Sequence, residues 1–226
     1  QIEACINPPD FYHSPKTSLV CLENTTNKGG GAVYDFNDMI AIRALCETHN
    51  LALHLDGARL WNALEVTNEP PAAYGKIFDT ISVCLSKGLG CPVGSVLLGS
   101  KAMIDQAIRI RKVFGGGMRQ SGYLAAAGSY ALKNHRKDLK EDHRKAKEIE
   151  ALLSTCTFVD KVQPVSTNII IFSLISTLSE LDFISKMRKQ SIDLIALGKG
   201  KLRMVTHRDY TRKQHDHVLT TLTKMN

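Results

Sequence analysis

Apolar residues follow two distinct patterns along the first hundred residues of this chain. Short apolar runs at residues 17–22, 51–55, 80–85 and 95–99 are typical of buried strands. Between the first two runs, residues 35–49 carry apolar side chains at helical spacing. Strands that alternate with helices and lack polar alternation predict an α/β domain, with a mostly parallel sheet covered on both faces.

The pattern changes after residue 100. A helix is predicted from residue 101 to about 113, then a glycine run at 115–117 and one long helical stretch from 118 to about 153. The remainder predicts strand 168–174, helix 178–190, strand 201–206 and helix 211–224. We therefore predict part of a large domain at residues 1–143 and a small C-terminal α+β domain at residues 144–226. Pro70 and Pro71 are assigned to a loop.

Composition narrows the function classes. The chain is 43% hydrophobic, and its net charge of +7 is concentrated at residues 133–147, where basic and acidic residues alternate as on a solvated helix. No nucleic-acid-binding motif accompanies that charge. The longest apolar stretch is far shorter than the roughly 20 residues of a membrane helix. Six cysteines without a C-x-x-C pair argue against a zinc site or a disulfide framework. We expect a cytoplasmic protein without a bound metal.

Two motifs, HLDGAR at residues 54–59 and SVCLSKGLGCPVGS at residues 82–95, lie where a predicted strand ends. Ligands bind at strand ends in open α/β sheets. Asp56 followed by Lys87 in a loop of small residues fits pyridoxal 5'-phosphate, because a carboxylate keeps the pyridine nitrogen protonated while the lysine forms a Schiff base. Gly88 and Gly90 are expected to leave room for a substrate amine.

Each residue also has an ordinary structural interpretation. Asp56 could cap the helix that follows it, and Lys87 could be an exposed surface lysine. The combination favours chemistry, because an exposed lysine has no reason to lie between an apolar strand and a loop of Gly and Pro. His54 is expected on the same face as Asp56, as an orienting or core histidine.

The segments LENTTNKGGG, HLDGARLWNA, CLSKGLGCPVGS, RKVFGGGMRQSGYLAAAGSYAL, EDH and RMVTH occur in the order found in threonine aldolases. The chain resembles this family of low-specificity L-threonine and L-allo-threonine aldolases over nearly its whole length. The resemblance implies the fold-type I architecture of the aspartate aminotransferase superfamily and dependence on pyridoxal phosphate. It also implies a homodimer or homotetramer with active sites at subunit interfaces.

The resemblance further implies a role for each matching residue. Lys87 would bind the cofactor covalently, and Asp56 would pair with the pyridine nitrogen. Arg59 would lie beside the ring oxygen and the substrate carboxylate, which Arg203 in RMVTH would bind through its planar guanidinium. Ser86 would contact the phosphate.

The sequence leaves more than one role open for Arg119 and changes the role expected at Thr26. Arg119, in the GGGMRQ loop, is either a solvated arginine beside a hinge or a phosphate or cross-subunit contact. Thr26 replaces the histidine of many family members near the substrate hydroxyl, and a threonine there can hydrogen-bond but cannot act as a base near neutral pH. We also expect about 100 upstream residues, a typical fraction of a domain, to supply a phosphate-binding turn and a ring-stacking side chain.

The function implied is retro-aldol cleavage of a β-hydroxy-α-amino acid, threonine or allo-threonine, to glycine and acetaldehyde. One alternative is another reaction on the same scaffold, such as β-elimination or phenylserine cleavage. The other is a catalytically silent fragment. We expect an amino-acid substrate and neither nucleic acid nor a membrane as partner.

Overall fold

The strands predicted in the first hundred residues form one four-stranded sheet in the computed structural model, which describes residues 1–8 and 10–226. The strand order is β1 (Leu19–Glu23), β2 (Ala52–Gly57), β3 (Thr80–Cys84) and β4 (Ser95–Gly99). β1, β2 and β3 are parallel, and β4 is antiparallel to β3. The predicted, mostly parallel sheet is confirmed. The prediction that the sheet is covered on both faces is wrong for β4, whose five residues are all exposed.

Three helices connect these strands: α1 (Phe36–Thr48), α2 (Leu60–Thr67) and α3 (Pro71–Ile77). Asp35 caps α1, since its carboxylate accepts a hydrogen bond from the Asn37 N–H at 2.7 Å. The predicted loop is confirmed for Pro70 and wrong for Pro71, which begins α3 at a position where its missing N–H needs no helical partner. Leu53, Leu55 and other buried side chains of the strands pack against these helices.

The long helical stretch predicted at residues 118–153 is divided. After α4 (Lys101–Val113), α5 (Gly122–Asn134) ends at His135, a 3-10 turn covers Arg136–Asp138, and α6 (Leu139–Leu153) follows. His135 Nδ1 lies 2.8 Å from the carbonyl oxygen of Leu89 and donates to it. This contact with a residue distant in sequence secures the chain at the point where the helix breaks.

The C-terminal residues form six further elements: β5 (Val159–Val162), β6 (Ile169–Leu174), α7 (Glu180–Lys189), β7 (Ile195–Gly198), β8 (Lys201–Val205) and α8 (Arg212–Met225). The four strands make a second, antiparallel sheet in the order β5–β6–β8–β7. Helices α7 and α8 pack on it together with α6. β5 and β7 were not predicted, because each is only four residues long.

A loop contact and the packing of α6 help to join the two sheets. Thr167 Oγ1 donates to the carbonyl oxygen of Gly31 at 3.1 Å, and a Cβ on Gly31 would stand 2.4 Å from that hydroxyl. α6 contributes Leu139 to a cluster beneath the loop after β3, and Ile149 and Leu153 to the core of the second sheet. Because α6 takes part in both packing regions, the boundary at residue 143 stays a prediction.

Candidate active site

The carboxyl ends of the parallel strands bring acidic residues side by side. Asp56 on β2 lies in register with Glu23 on β1 and is half-buried. Asp56 Oδ1 accepts a hydrogen bond from the Ala58 N–H at 3.0 Å, so one carboxylate oxygen orders the turn before α2. His54, two residues earlier, hydrogen-bonds through Nδ1 to Thr80 Oγ1 at 2.7 Å, and its role as an orienting or core histidine stays a prediction.

The loop after β3 presents Lys87. Its ends are joined by a hydrogen bond from the Leu85 N–H to the Gly94 carbonyl at 3.0 Å, and a tight turn brings the Gly90 N–H to the Lys87 carbonyl at 2.9 Å. Gly90 adopts φ +70°, which favours glycine. The Lys87 ammonium lies 3.4 Å from Cys84 Sγ. The backbone of this loop therefore determines where the lysine stands.

Gly88 is required by packing in addition to any need for open space. A Cβ at Gly88 would stand 2.8 Å from Leu139 Cδ2 and 3.4 Å from Asn62 Nδ2. α2 and α6 thus press directly on the residue that follows Lys87. The sequence analysis expected open space for a substrate amine at Gly88, but the side chains of Leu139 and Asn62 occupy the space around its Cα.

Two arginines gather positive charge near the strand ends. Burial lowers the pKa of Arg59, the carboxylate of Glu23 opposes that shift from 3.9 Å, and the charge of Arg203 lowers the pKa further. Arg203 Nη1 donates to Asn27 Oδ1 at 2.7 Å, while its buried Nε has no partner among the described residues. Partly desolvated guanidiniums that lie close together favour an anionic ligand.

A cleft of about 540 Å³ lies between the lysine loop and the second sheet. Three predicted site residues, Arg59, Ser86 and Lys87, line it. Two amides that the sequence did not single out, Asn62 and Asn168, line it as well. Asn62 lies inside the HLDGARLWNA motif, whereas nothing local marked Asn168.

Four predicted site residues are not among those that line this cleft: Asp56, Arg203, Arg119 and Thr26. Arg119 is exposed on the segment between α4 and α5 and does not line the cleft. The Thr26 N–H donates to the Ala32 carbonyl at 3.0 Å, and its hydroxyl would lie 2.3 Å from a Cβ on Gly29. Thr26 therefore closes the glycine-rich turn, and its contact with a substrate stays a prediction.

The EDH segment at the start of α6 contains two groups with opposite pKa shifts. Burial raises the pKa of Asp142 to about 6, with Lys145 opposing it, and burial lowers the pKa of His143 to about 4. His143 Nε2 lies 2.9 Å from Asn62 Oδ1 and donates to it, since a carbonyl oxygen only accepts. The neutral imidazole thereby fixes the orientation of the Asn62 amide.

The model of the beta-eliminating lyase family matches residues 1–176. The chain belongs to this family. Low-specificity L-threonine aldolase 1 of Arabidopsis thaliana is 37% identical over 225 residues, which are 97% of this chain and 62% of that protein. Low specificity L-threonine aldolase of Escherichia coli strain K12 is 48% identical over 138 residues, or 61% of this chain and 40% of that protein.

Among solved structures, a threonine aldolase from Leishmania major superposes with a TM-score of 0.80 at 21% identity, covering 99% of this chain and 66% of that one. The predicted resemblance and the fold-type I architecture are confirmed. The chain spans less than two-thirds of the length of each of these three relatives.

Within the described residues, no three His, Cys, Asp or Glu side chains lie close enough to bind a metal ion. None of the described helices combines the length and apolar character that crossing a bilayer requires. All six cysteines are free thiols, with Cys46, Cys91 and Cys156 buried.

Proposed function

We propose that this protein acts in pyridoxal-phosphate-dependent cleavage of a β-hydroxy-α-amino acid, threonine or allo-threonine, to glycine and acetaldehyde. The observation that carries the proposal is the placement of Lys87 in the cleft beside Arg59, at the ends of the parallel strands. The similarity to proteins named low-specificity L-threonine aldolase supports the choice of reaction.

The residues present fit the cofactor. Lys87 offers a primary amine on a backbone-fixed loop, and Asp56 keeps one carboxylate oxygen beyond the one that orders the α2 turn. Ser86 adds a hydroxyl on the cleft wall. When bound, pyridoxal phosphate supplies an electron sink for the carbanion that the broken Cα–Cβ bond leaves. The role of Asp56 would be to maintain the proton on the pyridine nitrogen through its negative charge.

The substrate carboxylate is assigned to the guanidiniums. Arg203 Nη1 donates to Asn27 Oδ1, which gives the guanidinium a defined direction, and its buried Nε has no hydrogen-bond partner within residues 1–8 and 10–226. Arg59 adds a second partly desolvated cation. A carboxylate held in a bidentate manner restricts rotation about the neighbouring bond, which orients the bond to be broken. Thr26 would supply a hydrogen bond and not a base.

A second candidate is β-elimination, which the description of the matching family favours. The two reactions are distinguished by their products. Aldol cleavage of threonine gives glycine and acetaldehyde, whereas elimination gives ammonia and a keto acid. Assembly into a homodimer or homotetramer and a cytoplasmic location stay predictions, as does a role for Arg119 across a subunit boundary.

The experiment is to add pyridoxal phosphate to the protein, reduce with borohydride and map the modified peptide. We expect the adduct on Lys87, an absorbance band that is lost in Lys87→Ala, and glycine released from threonine. Lys133→Ala, on α5, is the matched control and should behave as wild type. An adduct on another lysine would remove Lys87 from its role, and a protein without adduct or glycine would be catalytically silent.

A further inference from the structure

We infer that His135 and Arg208 are positioning residues for Lys87, because both contact the backbone turn that carries this lysine. The inference rests on the proposed function, which gives the Lys87 amine the task of binding pyridoxal phosphate. Lys87, Gly90 and Arg208 line the cleft, and His135 stands where α5 ends.

The turn determines where the lysine stands. The Gly90 N–H donates to the carbonyl oxygen of Lys87 at 2.9 Å, so the backbone of the lysine is itself one end of the turn. The Lys87 side chain is exposed, and packing therefore does little to fix its amine. The place of the amine depends on the contacts that fix Leu89 and Gly90, the last two residues of the turn.

His135 fixes Leu89. The imidazole donates from Nδ1 to the Leu89 carbonyl oxygen at 2.8 Å, since a carbonyl only accepts. The Tyr130 ring lies edge-on to the imidazole, with centroids 5.4 Å apart. The Leu89 side chain is 1% exposed and packs in one cluster with Leu139. Leu89 is thus fixed both through its carbonyl and through its side chain.

Arg208 fixes Gly90. A Cβ on Gly90 would stand 3.0 Å from Arg208 Cδ, so the aliphatic part of the arginine packs directly on the turn. Arg208 Nη1 donates to Asp138 Oδ2 at 2.5 Å. The Asp138 N–H in turn donates to the His135 carbonyl at 3.1 Å, so both positioning residues are anchored to the same short segment.

The size of the expected effects favours positioning over stability. The ion pair of Arg208 and Asp138 is 36% and 46% exposed, and pairs this exposed contribute little to stability. In contrast, a reacting group misplaced by about 1 Å can lose about 100-fold in rate. In the reaction concerned, the deprotonated Lys87 amine adds to the aldehyde carbon of the cofactor, a C=N bond forms and water leaves.

The first measurement is residue-resolved amide hydrogen exchange of the protein alone. His135→Phe retains an aromatic ring but removes the donor, so the Gly90 N–H should exchange at least about 10-fold faster while the amides of β3 are unchanged. His135→Asn places an amide donor near the former Nδ1 and should restore exchange to within about threefold of wild type. A general loss of stability would instead accelerate exchange in β3 as well.

The second measurement is the rate of adduct formation after pyridoxal phosphate is added, followed by absorbance. His135→Phe and Arg208→Ala should each lower the rate constant at least about 10-fold, with the borohydride-reduced adduct still on Lys87. Asp138→Asn should also lower it, but should add little to Arg208→Ala, because the two residues act through one contact.

Two variants serve as matched controls. His217 Nε2 also donates to a backbone carbonyl, that of Gln190 at 2.8 Å, and Arg188 pairs with Asp193 at 3.1 Å. None of these four residues lines the cleft beside Lys87. His217→Phe and Arg188→Ala should therefore match wild type in Gly90 exchange and in adduct formation.

Wild-type exchange at Gly90 in both Arg208→Ala and Asp138→Asn would overturn the inference, even if His135→Phe fails to fold, since both changes are at partly exposed side chains. Faster exchange with an unchanged rate of adduct formation would overturn it too, because the contacts would then stabilise the turn without positioning the lysine.

Glycine formation from threonine is measured in parallel. A wild type that forms neither adduct nor glycine would remove the proposed function, and exchange at Gly90 would then decide whether His135 and Arg208 fix the turn. Glycine formation by the wild type, with adduct rates in His135→Phe and Arg208→Ala equal to those of the controls, would retain the proposed function and overturn the inference.

Discussion

Replacing Gly88 by alanine should destabilise the protein at the lysine loop. The added Cβ would stand 2.8 Å from Leu139 Cδ2, whereas two carbons in contact are about 3.5–4.0 Å apart. One of the two atoms must therefore move by at least about 0.7 Å, and Leu139 has little freedom because it is 1% exposed. Overpacking of this kind costs about 1–3 kcal/mol. The reduced entropy of the unfolded alanine chain offsets about 0.4–1 kcal/mol of this.

The assay is urea unfolding, with the free energy of unfolding expected to fall by about 1–2 kcal/mol in Gly88→Ala. Gly75→Ala is the control, because a Cβ there meets no atom within 4 Å and α3 should gain about 0.5–1 kcal/mol. Leu139→Val removes the clashing methyl group, so the cost of Gly88→Ala should be smaller in that background by at least about 0.5 kcal/mol. A Gly88→Ala protein as stable as wild type, with no coupling to position 139, would refute the reasoning.

Three further predictions concern charge. Arg203→Lys should raise KM and lower kcat, because lysine cannot bind a carboxylate in a bidentate manner, and steady-state kinetics showing a rise in KM alone would contradict an orienting role. Asp56→Asn should retain cofactor absorbance while lowering kcat at least about 10-fold, since an amide carries no charge to maintain the ring proton, and near-normal turnover would remove Asp56 from that role. The third prediction separates the two buried groups of the EDH segment. In Asp142→Asn only His143 of this pair titrates, and its pKa is about 4 in the folded protein and 6.5 in the unfolded chain. Because the unfolded chain binds more protons between these values, the free energy of unfolding should rise by about 3 kcal/mol from pH 4 to 6.5. In His143→Gln only Asp142 of the pair titrates, and its pKa is about 6 in the folded protein and 3.8 in the unfolded chain. The folded protein then binds more protons, so the free energy of unfolding should fall by about 3 kcal/mol from pH 4 to 6. Urea unfolding at several pH values measures both, and a free energy that changes in the same direction with pH in both variants would refute the opposite pKa shifts.

Local patterns predicted most of the elements but not how they are interrupted. The apolar runs located β1 to β4, and the helix predicted at residues 211–224 is α8, which begins after a capping box formed by the Thr211 hydroxyl and the Gln214 side chain. The division of the long helix was missed because it depends on His135 reaching Leu89, 46 positions earlier in the chain. β5 and β7 were missed because a four-residue run carries too little periodicity to distinguish strand from loop.

The sequence alone determined the chemistry available: motifs indicated a lysine in a small-residue loop and an aspartate at a strand end, and the resemblance to threonine aldolases indicated Arg203. Motifs of this kind are read locally, because their spacing follows from one strand and the turn after it. Only the tertiary structure decided that Asn62 and Asn168 line one cleft, since each amide is oriented by a distant partner, His143 for the first and Thr206 for the second. The direction of a buried amide depends on which of its two ends finds a partner, and contacts between elements far apart in the chain decide that.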